Sequence, residues 1–168
     1  MSELAFHGRC WTVGDYVPTD QIVKSARVFE PMEVIARHVL EDANPAFAGG
    51  VSPGDVLVAG RHFGQSSGRA IAAKAIAATG VGCVLADSFS RTFFRNAFEI
   101  GLPILELDGI RAAVAEGDLL DVDVEAGTVR CERTGETLRA RATDPFLLDM
   151  LRAGGLIPMA SRLAEVAQ

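Results

Sequence analysis

Three short apolar segments, set apart by two helix-forming ones, constrain this chain more than any other feature. DVLVAGRHF (55–63), GCVLADSF (82–89) and PILEL (103–107) have the aliphatic, β-branched character of buried strands. Between them, RAIAAKAIAAT (69–79) is alanine-rich and helical by propensity. Residues 90–100 form a second helical stretch, with Phe93, Phe94, Ala97 and Ile100 apolar. Gly80 and Gly82 bracket the end of the first helix, and Gly101 and Pro103 terminate the second. A strand–helix–strand–helix–strand series implies parallel pairing through right-handed crossovers.

The flanks read differently. GRCWTV (8–13) is expected to be a strand, residues 14–20 a loop, and PMEVIARHVLED (31–42) a helix opened by Pro31. Its apolar face would carry Met32, Ile35, Val39 and Leu40, and residues 44–54 would be a loop rich in Pro and Gly. Residues 119–142 alternate apolar and polar, with turn signals at Ala126-Gly127 and Thr134-Gly135, as antiparallel strands do. Asp144 and Pro145 open a helix that Gly154-Gly155 ends, and 156–167 is a short terminal helix. The expectation is one mixed α/β domain over residues 1–168.

Composition narrows the function. Of 16 basic residues only Lys24 and Lys74 are lysines, against 22 acidic ones, for a formal charge of −6. An acidic chain without a basic cluster is a poor nucleic-acid binder, while arginine is a good fork for carboxylates and phosphates. Nothing approaches the ~18 consecutive apolar residues of a membrane span. The first ten residues lack the pattern of a signal peptide. Cys10, Cys83 and Cys131 are odd in number, far apart and form no CxxC. They supply neither a disulfide framework nor a metal or iron–sulfur ligand set, and a reducing, cytoplasmic location is expected. Cys83 is expected in the core. His7, His38 and His62 are scattered, without HxxxH spacing or an evident carboxylate partner, and read as structural or exposed. Arg91, Arg95 and Asn96 read as capping or surface residues of their helix.

The chemistry concentrates in Gly64-Gln65-Ser66-Ser67-Gly68, followed by Arg69 and a helix. Small residues let a ligand approach the backbone, and a helix N-terminus attracts an anion. Ser66 and Ser67 add hydroxyls, and Arg69 adds a carboxylate fork. The plainer reading is a glycine-serine turn with a surface arginine. The loop matches neither the P-loop nor the dinucleotide-binding glycine pattern.

At this loop the chain resembles a known family, the small subunits of 3-isopropylmalate dehydratase, which are similar to the swivelling C-terminal domain of aconitase. Three ordered stretches carry the resemblance. A family pattern like DNIDTDxIIPARYL meets GDYVPTDQIVKSARVF, keeping Thr19, Asp20, Ile22, Ala26 and Arg27. One like VKPGDIIVAGxNFGCGSSREHA meets VSPGDVLVAGRHFGQSSGRAIA, and one like AVIAxSFARIFFRNAxNIGLP meets CVLADSFSRTFFRNAFEIGLP. Aligned without a gap, the family's first serine falls on Ser67, its second on Gly68 and its arginine on Arg69, while its Glu-His pair becomes Ala70-Ile71. A one-residue shift would instead put the serine pair on Ser66-Ser67.

The resemblance implies a swivel-type β/β/α domain and a hydro-lyase that dehydrates and rehydrates a hydroxy dicarboxylic acid, with 3-isopropylmalate in leucine biosynthesis as the leading case. It makes Ser67 the base that removes the carbon-bound proton and Arg69 the carboxylate anchor, with Ser66 as a stand-in. Thr19, Asp20, Gln65 and Gly68 would line the cleft. Arg27, Val28 and Phe29 would form the substrate-selecting loop, where Val28-Phe29 replaces the usual Tyr-Leu. No cofactor is expected in this chain. A [4Fe–4S] cluster is expected on an aconitase-like large subunit, with half an active site on each partner. The isolated chain is free to self-associate. Two alternatives stay open: a related hydro-lyase subunit for homoaconitate or a methylated malate, and a non-catalytic carboxylate-binding partner.

Overall fold

The computed structural model describes residues 3–167. In chain order the elements are β1 (Ala5–Thr12), α1 (Thr19–Ile22), a 3-10 turn (Ser25–Arg27), α2 (Met32–Ala36), α3 (Phe47–Gly50) and β2 (Val56–Ala59). Then come α4 (Ile71–Ala78), β3 (Cys83–Ala86), α5 (Arg91–Ile100), β4 (Ile104–Glu106) and α6 (Ile110–Ala113). The last third holds β5 (Leu119–Asp123), β6 (Thr128–Cys131), β7 (Thr137–Arg139), α7 (Pro145–Ala153) and α8 (Leu156–Val166).

One seven-stranded sheet runs β4-β3-β2-β1-β5-β6-β7. Strands β1 to β4 are parallel and β5 to β7 antiparallel, as the two sequence patterns predict. β1 joins the halves: Cys10–Thr12 pair with β2, and Ala5–Arg9 pair with β5. β2 and β3 are buried at every residue because helices cover both faces. β5 alternates because only one of its faces meets the core. Under the C-terminal edge of the parallel half, Phe63, Phe89 and Phe93 interlock, with ring centroids 5.1 to 6.2 Å apart. Such pairs add to the free energy of burial alone.

Four expectations are corrected. The helix over 31–42 stops at Ala36, because Leu40 turns inward at φ 58° and its N–H bonds Ile22 O at 3.0 Å. The 44–54 loop contains α3, whose buried Phe47 packs edge-on against Trp11 at 5.9 Å. α6 appears between the two halves. Two histidines do have carboxylate partners: His38 Nδ1 lies 3.2 Å from Glu41, and His7 Nδ1 lies 2.6 Å from Asp121, its register partner across the sheet.

The His7 pair has a testable consequence. The hydrogen bond to Asp121, and then its charge, raise His7 above the ordinary histidine value of 6.5. The pair's stabilisation is therefore complete below the unfolded value and fades as pH rises through the folded one. An NMR titration should place the His7 midpoint above 6.5, and Asp121→Asn should return it toward 6.5. A midpoint that does not move would mean the pair does not form in solution.

Candidate active site

The candidate site lies at the C-terminal edge of the parallel strands, where ligands of open α/β sheets gather. The segment after β1 and the loop after β2 run side by side there. Gly64 N–H donates to Val17 O at 2.9 Å, Thr19 N–H donates to Gln65 O at 2.9 Å, and Pro18 and Gln65 form a parallel bridge. The Gln65 amide donates to Tyr16 O at 3.3 Å. Between the two segments opens a cleft of about 550 Å³.

Seven of the ten residues singled out from the sequence line that cleft: Thr19, Asp20, Val28, Gln65, Ser66, Ser67 and Arg69. Pro18, Val23, Ser25 and Ile71 join them. Arg27, Phe29 and Gly68 lie outside the lining. Arg27 holds Glu41 through Nε at 3.1 Å and Nη2 at 3.4 Å, and Glu30 through Nη1 at 3.3 Å. That contact keeps Glu41 below the usual carboxylate range, with the Arg27 hydrogen bond as the first cause. Phe29 is 96% exposed.

Asp20 and Arg69 are the charged residues of the lining, and among the described residues neither takes part in an ion pair. Arg69 is thus exposed with its guanidinium uncommitted. Ser67 is half-buried, and its Oγ accepts the Arg69 backbone N–H at 3.2 Å. α4 follows with Ala70 at its N-cap, which offers no side-chain acceptor to the first-turn N–H groups. The Ser67 hydroxyl thus accepts one backbone donor and shares the cleft with a positive charge, features of the kind that favour an alkoxide. Ser66 sits at φ 87°, a backbone region that costs a non-glycine residue about 1–3 kcal/mol.

The residues that hold this loop were not legible as such. Asn96, read as a surface residue, is buried and donates to Gly68 O at 3.2 Å. Ser90 caps α5 and also donates to Gly64 O at 2.8 Å. The signal was there in the FFRNA stretch, but only a contact 28 residues away explains it.

The cleft does not fit an iron–sulfur cluster. No cysteine lines the cleft. All three cysteines are buried in the core. Burial pushes the Cys10 thiol up to about 12 and raises Cys83 as well, so neither is a ready thiolate.

Known proteins resemble this chain in sequence and in fold. The aconitase C-terminal domain model matches residues 43–109, which span β2 to β4 and include the serine loop. The chain is 40% identical over 160 residues to the isopropylmalate/citramalate isomerase small subunit of Methanocaldococcus jannaschii, covering 94% of this chain and 95% of that protein. It is 43% identical over 161 residues to the 3-isopropylmalate dehydratase small subunit of Aquifex aeolicus, with 94% and 95% covered. A crystal structure of 3-isopropylmalate dehydratase from Methanocaldococcus jannaschii superposes with a TM-score of 0.91 at 28% identity, covering 97% of both chains. With its mixed sheet, its cleft at the parallel edge and these relatives along nearly its whole length, the chain belongs to the family of 3-isopropylmalate dehydratase small subunits, built on the aconitase C-terminal domain.

Proposed function

We propose that this chain, together with an aconitase-like large subunit, dehydrates and rehydrates a hydroxy dicarboxylic acid, with 3-isopropylmalate the first candidate. The relatives named for that reaction support the substrate, and their designation as small subunits supports the partner. One structural observation carries the chemistry: an uncommitted arginine and a serine whose Oγ accepts the arginine's backbone N–H share an open cleft. On this reading Arg69 binds a substrate carboxylate, and Ser67 takes the proton from carbon. Thr19, Asp20 and Gln65 shape the remaining wall, and Val28 meets the substrate's variable group. The [4Fe–4S] cluster of the family would belong to the large subunit.

Purified alone, the chain should hold no iron and show no dehydratase turnover. Mixed with the large subunit, it should turn over 3-isopropylmalate. Stoichiometric iron on the lone chain, or turnover without a partner, would overturn the reading.

A second substrate has its own support. One relative is named for citramalate as well, and Val28 stands where the family pattern has a tyrosine. Valine widens the wall, which by itself suits a side group larger than a methyl, so the citramalate reading rests on the relative's name. One methylene of pocket fit is worth ~1–3 kcal/mol, so a kcat/KM ratio of about tenfold between the two acids decides between them.

A further inference from the structure

The serine loop takes its shape from one face of α5. Ser90, Phe93 and Asn96 recur every three residues along that face. Ser90 Oγ holds the carbonyl of Gly64 at one end of the loop, and Asn96 Nδ2 holds the carbonyl of Gly68 at the other. Between them the Phe93 ring lies so close under Gly64 that a Cβ there would come within 2.5 Å of it. Thr92 reaches to 3.5 Å from where a Gly68 Cβ would stand.

Asn96 is the informative member. It is polar yet only 9% exposed, and a buried amide is costly unless it is bonded. Its side-chain N–H donates to the carbonyl of the Gly68–Arg69 peptide. Rotating that peptide would move the Arg69 N–H that bonds Ser67 Oγ, and with it the start of the arginine side chain. We propose that Asn96 is a positioning residue, which sets the serine and the arginine together through Gly68 without touching substrate. This rests on the reading of Ser67 as base and Arg69 as anchor.

Asn96→Asp tests it. The change is isosteric, removes the N–H donor and sets a carboxylate oxygen against the Gly68 carbonyl. In the complex with the large subunit, kcat should fall about ten- to a hundredfold, the scale of a small misplacement of a reacting group. KM should rise as well, because Arg69 shifts with Ser67. Hydrogen exchange on the full chain should show amides 66–71 exchanging about tenfold faster, while α5 keeps its protection. Asn96→Ala removes the same bond without adding charge and carries the same expectation if the aspartate variant folds poorly. A lower Tm with unchanged kcat, KM and loop exchange would make Asn96 a packing residue and overturn the proposal. If the wild-type complex turns over no hydroxy acid, the proposed function fails, and loop exchange alone decides: faster exchange supports the clamp, and an unchanged rate overturns it.

Discussion

In the enzyme reconstituted with its large subunit, Ser67→Ala is expected to lower kcat by at least about a hundredfold, the low end for losing a general base. A serine hydroxyl is a weak base until it is ionised, and the alkoxide is scarce at neutral pH. Two features favour it here: the Arg69 N–H at 3.2 Å and the unpaired Arg69 side chain lining the same cleft. Removing Oγ abolishes the base but little packing, since the side chain is small and half-buried. Circular dichroism and co-elution with the large subunit should therefore match wild type while steady-state turnover collapses. Arg69→Lys should act on KM more than on kcat, because a point charge replaces a two-pronged fork on the carboxylate.

Ser66→Gly is the control that separates the two serines. Ser66 occupies φ 87°, and the ungapped alignment puts a family glycine at that position. Glycine should relieve the backbone strain and keep turnover. It should also raise Tm by about 2–4 °C for each kcal/mol gained in a domain of this size. Loss of turnover in Ser66→Gly, beside a mild Ser67→Ala, would make Ser66 the base.

The parallel half was legible because its signals are local. β2 and β3 are apolar at every residue, and α5 begins at a serine cap and ends at Gly101 in the left-handed region. What stayed hidden depends on partners distant in the chain. Leu40 leaves the helical pattern to reach Ile22, and Phe47 forms its short helix where Trp11 covers it. His7 finds Asp121 across 114 residues. The same holds at the site. The family patterns drew attention to Thr19, Asp20 and the serine loop, but the bridge from Pro18 to Gln65 brings them to one cleft. Arg27 illustrates the converse. Its motif position suggested a ligand contact, yet two nearby glutamates occupy its guanidinium. Asn96 looked like surface because a helical wheel shows neighbours along the helix and not the loop laid across it.

Gly64→Ala should be among the most destabilising single changes in the loop, lowering Tm by about 4–20 °C. Two costs combine. Gly64 has φ 82°, and a side chain there costs roughly 1–2 kcal/mol. The new methyl would also stand 2.5 Å from Phe93, and forcing such an overlap costs roughly 1–3 kcal/mol. Phe93 has little room to yield: it is 2% exposed, stacked on Phe89 at 5.7 Å and edge-on to Phe63 at 5.1 Å. At about 2–4 °C per kcal/mol the sum gives the stated range. Gly80→Ala isolates the first cost, because Gly80 has nearly the same φ, 85°, with nothing within 4 Å of its Cβ position. The difference between the two melting temperatures therefore reads the displacement of Phe93 alone. Equal losses would mean that the ring moves aside freely and the loop is not seated on α5. A larger loss at Gly64 would show that the loop is seated on Phe93, whose Cβ and Cγ are the nearest atoms and cannot swing away by ring rotation.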